Sequence, residues 1–177
     1  MDAKTICPLP REHEDFIAAL RTRGSLLPDS GGTGWVPMDL YSLSMRISEM
    51  ETLGVIKPGM KVLDLGAGCA TSTLIFAFRG YKAVGIEMNE PLAEVGAKAI
   101  SEAVDKGLVK KELAPDLFVG SYYPRDYVLK RSSGETLALS CEHVTRSSHY
   151  HPIAEFDAYE RFGIDIKSFD FFYIWAW

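Results

Sequence analysis

Residues 61–80 read KVLDLGAGCATSTLIFAFRG, and their order decides the fold. KVLDL, residues 61–65, is a short apolar strand. Gly66-Ala67-Gly68 is a turn, and residues 70–79 read as a helix that Gly80 ends. A strand running through a glycine turn into a helix is a ligand-binding device. The glycines let the backbone approach a ligand closely, and the first helical N–H groups offer hydrogen bonds. In a dinucleotide fingerprint the third glycine falls five positions after the first. Thr71 stands there, so that fingerprint fails. Asp64, at the end of the strand, would repel a pyrophosphate and suits a ligand that carries an ammonium group.

The pattern repeats outward from this unit. KAVGIE, residues 82–87, is a second strand. The helix over 90–105 has Pro91 at an early position, where its missing N–H costs little, and an apolar stripe of Leu92, Val95, Ala99 and Val104. DLFV, residues 116–119, is a third strand, and FDFFYIWAW, residues 169–177, a final one. Strands alternating with helices predict an α/β chain with a parallel sheet and right-handed crossovers. Upstream, the spacing predicts helices over 11–22 (Phe16, Ile17 and Leu20 on one face) and over 38–53 (Leu40, Leu43, Ile47 and Met50). A Pro/Gly-rich loop at 26–37 separates them, and Gly54 is the stop after the second. Residues 120–151 read as an insertion, in which Leu137-Ala138-Leu139 is a candidate short strand. A helix from Pro152 to about Phe162, buried through Ile153, Phe156 and Tyr159, ends at Gly163. The expected division is a helical cap over 1–55 and a ligand-binding domain over 56–177.

The 177 residues suit one domain, and 47% hydrophobic with 24% charged residues is an ordinary globular balance. The net charge of −5, with Lys and Arg scattered, lacks the cationic field that a duplex or an anionic membrane surface requires. The cysteines, Cys7, Cys69 and Cys141, form no disulfide framework and fit a reducing compartment. The acidic, proline-containing start is unlike a signal peptide, and no apolar run approaches a membrane span. A cytoplasmic location is expected.

VLDLGAGCA, residues 62–70, resembles the glycine-rich first motif of class I S-adenosylmethionine-dependent methyltransferases, with Ala70 where that family usually has a third glycine. The likeness extends over roughly residues 36–121 and 166–177. It implies a Rossmann-like parallel sheet and S-adenosyl-L-methionine as cofactor. Gly66, Ala67 and Gly68 would line its methionyl part, and Asp64 would orient the loop or its bound water and amine. Glu87, at the end of the second strand, would take both ribose hydroxyls, since a carboxylate offers two acceptor oxygens to two adjacent donors. The ordinary alternative for Glu87 is a solvated residue at a helix start. Met88 and Asn89 would flank the adenosine. After the third strand the family often has Gly-Asp, whereas this chain has Gly120-Ser121, so Ser121 is the candidate adenine contact.

The resemblance also places the acceptor near the end of the fourth strand. Tyr173, Trp175 and Trp177 share one face there, and the Asn/Asp-Pro-Pro-Tyr of amide and base-amine methyltransferases is missing. Trp175 and Trp177 stand evenly between core and site, as aromatic faces that attract cations. Phe171, Phe172 and Ile174 read as core. Tyr122 and Tyr123 are further acceptor-pocket candidates. Among His143, His149 and His151 any one could serve as base, His143 being carried forward. Their spacing with Cys141 matches no structural zinc pattern, so no metal is expected.

The expected activity is methyl transfer to a small-molecule acceptor. The alternatives are other sulfonium chemistry that releases methylthioadenosine (aminopropyl transfer or cyclisation) and a non-catalytic subunit that needs a partner. Family members continue for three more strands, so the fourth strand here is expected to show an unpaired apolar edge. A homodimer mate or a partner chain would cover it.

Overall fold

The computed structural model describes residues 9–27, 39–122, 128–130, 136–138 and 158–174. Its centre is a four-stranded, all-parallel sheet built from β1 (Lys61–Leu65), β2 (Lys82–Glu87), β3 (Asp116–Val119) and, far along the chain, β6 (Phe171–Ile174). The order is β3-β2-β1-β6. Lys61 pairs with Lys82, Val62 with Phe171, and Val84 with Asp116. Among the described residues five α-helices accompany it: α1 (Arg11–Ser25), α2 (Leu40–Thr52), α3 (Thr71–Phe78), α4 (Glu90–Asp105) and a short α5 (Ala158–Phe162). This is the Rossmann-like α/β arrangement the sequence predicts. A separate antiparallel pair joins β4 (Val128–Lys130) to β5 (Thr136–Ala138). β5 overlaps the strand expected at 137–139, and β4 was not expected.

The period of two along each strand sorts side chains between the faces. Val62 and Ala83 join a core with Ile17, Leu43, Ile47, Leu74, Ile75 and Phe76 from α1, α2 and α3. Leu63 and Ile86 point the other way and meet Ala158 of α5. Phe76, fully buried, stands edge-on to Tyr81, Phe171 and Tyr173.

Local chemistry sets the helix ends. Asp39 caps α2, its Oδ1 accepting from Tyr41 N at 3.1 Å. Asn89 caps α4, its Oδ1 accepting from Leu92 N at 3.1 Å, with Pro91 in the first turn. Such caps satisfy N–H groups the helix itself cannot. α2 is tied down from its last turn. Glu51 accepts from Arg79 Nη2 at 2.6 Å and from the Tyr81 hydroxyl at 2.9 Å.

Four expectations need correction. α1 runs on to Ser25, because the amphipathic phase continues through buried Gly24. The buried stripe of α4 is Leu92, Ala93, Gly96, Ala99, Ile100 and Ala103, and Val95 and Val104 are only half-buried at its margins. Small residues form that stripe because α4 lies very close to its neighbours: a Cβ on Gly96 would come within 2.9 Å of the Cys69 carbonyl carbon. Phe169 precedes β6 rather than opening it. Phe172 and Ile174 are 50% and 55% exposed instead of core, because no described element covers that face of β6. Of the helix expected from Pro152, residues 158–162 are helical and residues 152–157 lie outside the described residues. No described helix is long and apolar enough to cross a membrane.

Candidate functional site

The carboxyl ends of β1, β2 and β3 converge on the glycine turn. Gly66 N and Ala67 N both donate to Ile86 O, at 2.9 and 3.0 Å, pinning the turn to β2. Gly66 (φ +78°) and Gly68 (φ +57°) take left-handed conformations that side chains resist. Ala70 does so as well (φ +62°), as the N-cap of α3, and it alone among the described non-glycine residues. An alanine held there stores on the order of 1 kcal/mol of strain.

Two buried acids flank the turn. Glu87 is 8% exposed. Its Oε2 accepts from Gly68 N at 2.6 Å and its Oε1 from Asn89 N at 2.7 Å. One carboxylate therefore bridges the glycine turn and the start of α4. Burial raises its pKa, against the pull of the Asn89, Gly68 and Met88 amides. Each oxygen keeps acceptor capacity, since a carboxylate has about four lone-pair sites.

Asp64 is held differently. Its Oδ2 accepts from Ser72 Oγ and Thr73 Oγ1, both at 2.6 Å, while Oδ1 is buried without a hydrogen-bond partner. Desolvation dominates and pushes its pKa up to about 6, with the two hydroxyls opposing. Tyr173 lies directly across in register. Burial, then the Asp64 charge, raises its phenol pKa. Sequence reasoning missed Ser72 and Thr73, although two hydroxyls in the first turn after a glycine loop were the available signal.

Around this pair, Met88 is half-buried and Ser121 fully buried, its carbonyl accepting from Ala158 N at 2.9 Å. Tyr122 is brought to the turn. Its Cε1 lies 3.7 Å from where a Gly66 Cβ would stand, and its carbonyl accepts from the Tyr159 hydroxyl at 3.0 Å. Asp64, Gly66, Ala67, Gly68, Glu87, Met88, Ser121 and Tyr122 thus gather at one end of the sheet. Tyr123, His143 and Trp175 lie outside the described residues, as do His149, His151 and Trp177. A cleft of about 280 Å³ opens at the other end, against the first residues of β1 and β2, Lys61 and Lys82.

This donor and acceptor set fits S-adenosylmethionine. An unpartnered carboxylate oxygen suits a cation, a second carboxylate with free lone pairs suits a diol, and the Gly66 position is open except toward Tyr122.

No protein-family model matches the chain, and no curated protein matches it. Several solved structures do. One, from Pyrococcus horikoshii, is described provisionally as an RNA methyltransferase: identity is 20%, 66% of this chain and 56% of that one are covered, and the TM-score is 0.46. An RNA methyltransferase from Salinibacter ruber in complex with S-adenosyl-L-homocysteine matches at 22% identity over 49% of this chain and 50% of that one, TM-score 0.37. A SAM-dependent methyltransferase from Geobacter sulfurreducens, also with S-adenosyl-L-homocysteine, matches at 18% identity over 68% and 39%, TM-score 0.37. The chain spans less than two thirds of the length of each of these structures.

Proposed function

We propose that this chain is the cofactor-binding part of an S-adenosylmethionine-dependent methyltransferase acting on a small-molecule acceptor. The observation that carries the reading is the pair of buried acids on one glycine turn, one with an unpartnered oxygen and one bridging turn and helix. The cofactor supplies a methyl group already activated on sulfur, so the protein's work is alignment and exclusion of water. Gly66, Ala67 and Gly68 bring backbone against the methionyl part. Asp64 faces the cationic end. Glu87 takes the ribose hydroxyls while keeping its bonds to Gly68 and Asn89. Met88 and Ser121 border the adenine. Tyr122 and Tyr123 border the acceptor, and His143 and Trp175 are the remaining acceptor-side candidates. The N-terminal helices and the segment 122–151 are the candidates for a lid over the acceptor.

One observation favours a second reading, a subunit that works only with a partner. The β6 edge, with exposed Phe172 and Ile174, is the kind of surface another polypeptide covers. Turnover by the chain alone would exclude it.

Calorimetric titration with S-adenosylmethionine and S-adenosylhomocysteine tests the main reading. Saturable binding is expected, and it should be lost in Asp64→Ala with Glu87→Gln although the variant still unfolds cooperatively. A folded wild-type chain that binds neither ligand would overturn it. Methylthioadenosine among the products would move the chemistry to aminopropyl transfer or cyclisation.

A further inference from the structure

Among the described arginines, Arg21 stands apart. Arg11, Arg23, Arg46 and Arg79 pair with Asp15, Glu102, Glu49 and Glu51, and Arg161 lies over the Phe162 ring. Arg21 has no ion pair among the described residues, and its Nε is buried without a hydrogen-bond partner. An unmet buried donor on a charged group is costly, so such groups normally find an acceptor.

The helix phase explains its direction. Arg21 follows Ile17 by one turn and Leu20 by one residue, and both belong to the buried stripe of α1. Ile17 and Leu20 pack into the same core as Cys69 and Ala70, the last residues of the glycine turn. The Arg21 charge reaches the Cys69 thiol, where it opposes the upward push of burial and of the Glu87 charge. It also reaches Asp39 at the start of α2. Asp39 accepts from Tyr41 N and Ser42 Oγ and forms no ion pair with Arg21.

The ligand proposed above has an amino-acid end with an ammonium and a carboxylate. Asp64 suits the first, and both buried acids repel the second, so the carboxylate needs a cation beside the turn. We infer that Arg21 binds the carboxylate of the ligand's amino-acid end, through the Nε donor that this structure leaves unfilled and an Nη beside it. The planar fork of a guanidinium matches a carboxylate with two parallel hydrogen bonds. This assignment rests on the S-adenosylmethionine reading. It makes α1 part of the binding site rather than only packing for α3 and α4.

The test compares S-adenosylmethionine with its decarboxylated form, which keeps the sulfonium and the amine. Both are titrated calorimetrically into the full chain as wild type, Arg21→Gln and Arg21→Lys. The wild type should prefer the carboxylated ligand by about tenfold to hundredfold, the range for a charge-assisted bond. Arg21→Gln should bring the ratio close to one with decarboxylated binding unchanged or tighter, and Arg21→Lys should keep part of it. An unchanged ratio in Arg21→Gln, or an equal loss for both ligands, would overturn the assignment. Wild type binding neither ligand would instead refute the cofactor reading beneath it, and binding both equally would refute only the role of Arg21.

Discussion

The two faces of the sheet are built to different standards. Toward α1–α4, Val62, Asp64, Ala83 and Gly85 are all buried, and the half-buried Phe171 and Tyr173 still pack on Phe76. On the other face Leu63 and Ile86 are fully buried, Leu65 and Val84 half-buried, and Phe172 and Ile174 about half exposed. Burial falls off toward β6. Both acids of the candidate site lie on the closed face, where packing holds them out of water. The proposed cofactor site therefore sits in the tightest part of the molecule, and Phe172 and Ile174 on the other face stay half exposed.

The sharpest way to break this contrast is a matched pair of truncations. Phe76→Ala removes a ring that is fully buried and touches three other rings. It should cost about 3–5 kcal/mol in urea unfolding. Phe172→Ala removes a half-exposed ring and should cost less than about 1 kcal/mol. Similar losses in the two would mean that the open face is covered in solution.

A second prediction concerns charge on the closed face. The ordinary pKa of Asp64, 3.8, is raised to about 6 in the fold. The folded state therefore binds this proton more tightly than the unfolded chain does. Stability falls as pH rises from about 4 to about 6 and levels off above, by at most about 3 kcal/mol. Asp64→Asn should remove that slope. Its thermal midpoint should exceed that of the wild type at pH 8, and the gap should close toward pH 4, while S-adenosylmethionine binding weakens. A variant less stable than wild type at pH 8 would show that Ser72 and Thr73 repay the burial of the charge.

The same contrast explains what the sequence discloses. β1, the turn, β2, α4 and β3 were legible because short apolar runs, glycines and the early helical Pro91 carry their signals locally. The placement of Asp64 and Glu87 beside the turn was legible, since both stand at strand ends. The exposure of Phe172 and Ile174 was not. FDFFYIWAW is apolar on both faces, and nothing in a strand records whether a neighbour covers one of them. Ser72 and Thr73 escaped because their role appears only when α3 folds back over β1. Arg21 escaped because its isolation depends on partners that its neighbours take.

The smallest expected effect is on the open face. Phe172→Ser with Ile174→Ser exchanges half-exposed apolar side chains for polar ones that water can satisfy, so the stability of the isolated chain should move by only about 0.5 kcal/mol. Association should respond much more. A parallel edge strand carries unpaired N–H and C=O groups, and beside them two large apolar side chains form a template for a second chain. Light scattering of the wild type should show self-association or capture of a partner, and the double variant should shift toward monomer with unchanged S-adenosylmethionine affinity. A wild type that is monodisperse and monomeric, with no surface that binds an apolar dye, would show that the β6 face is closed within the chain itself. The second polypeptide would then have no role.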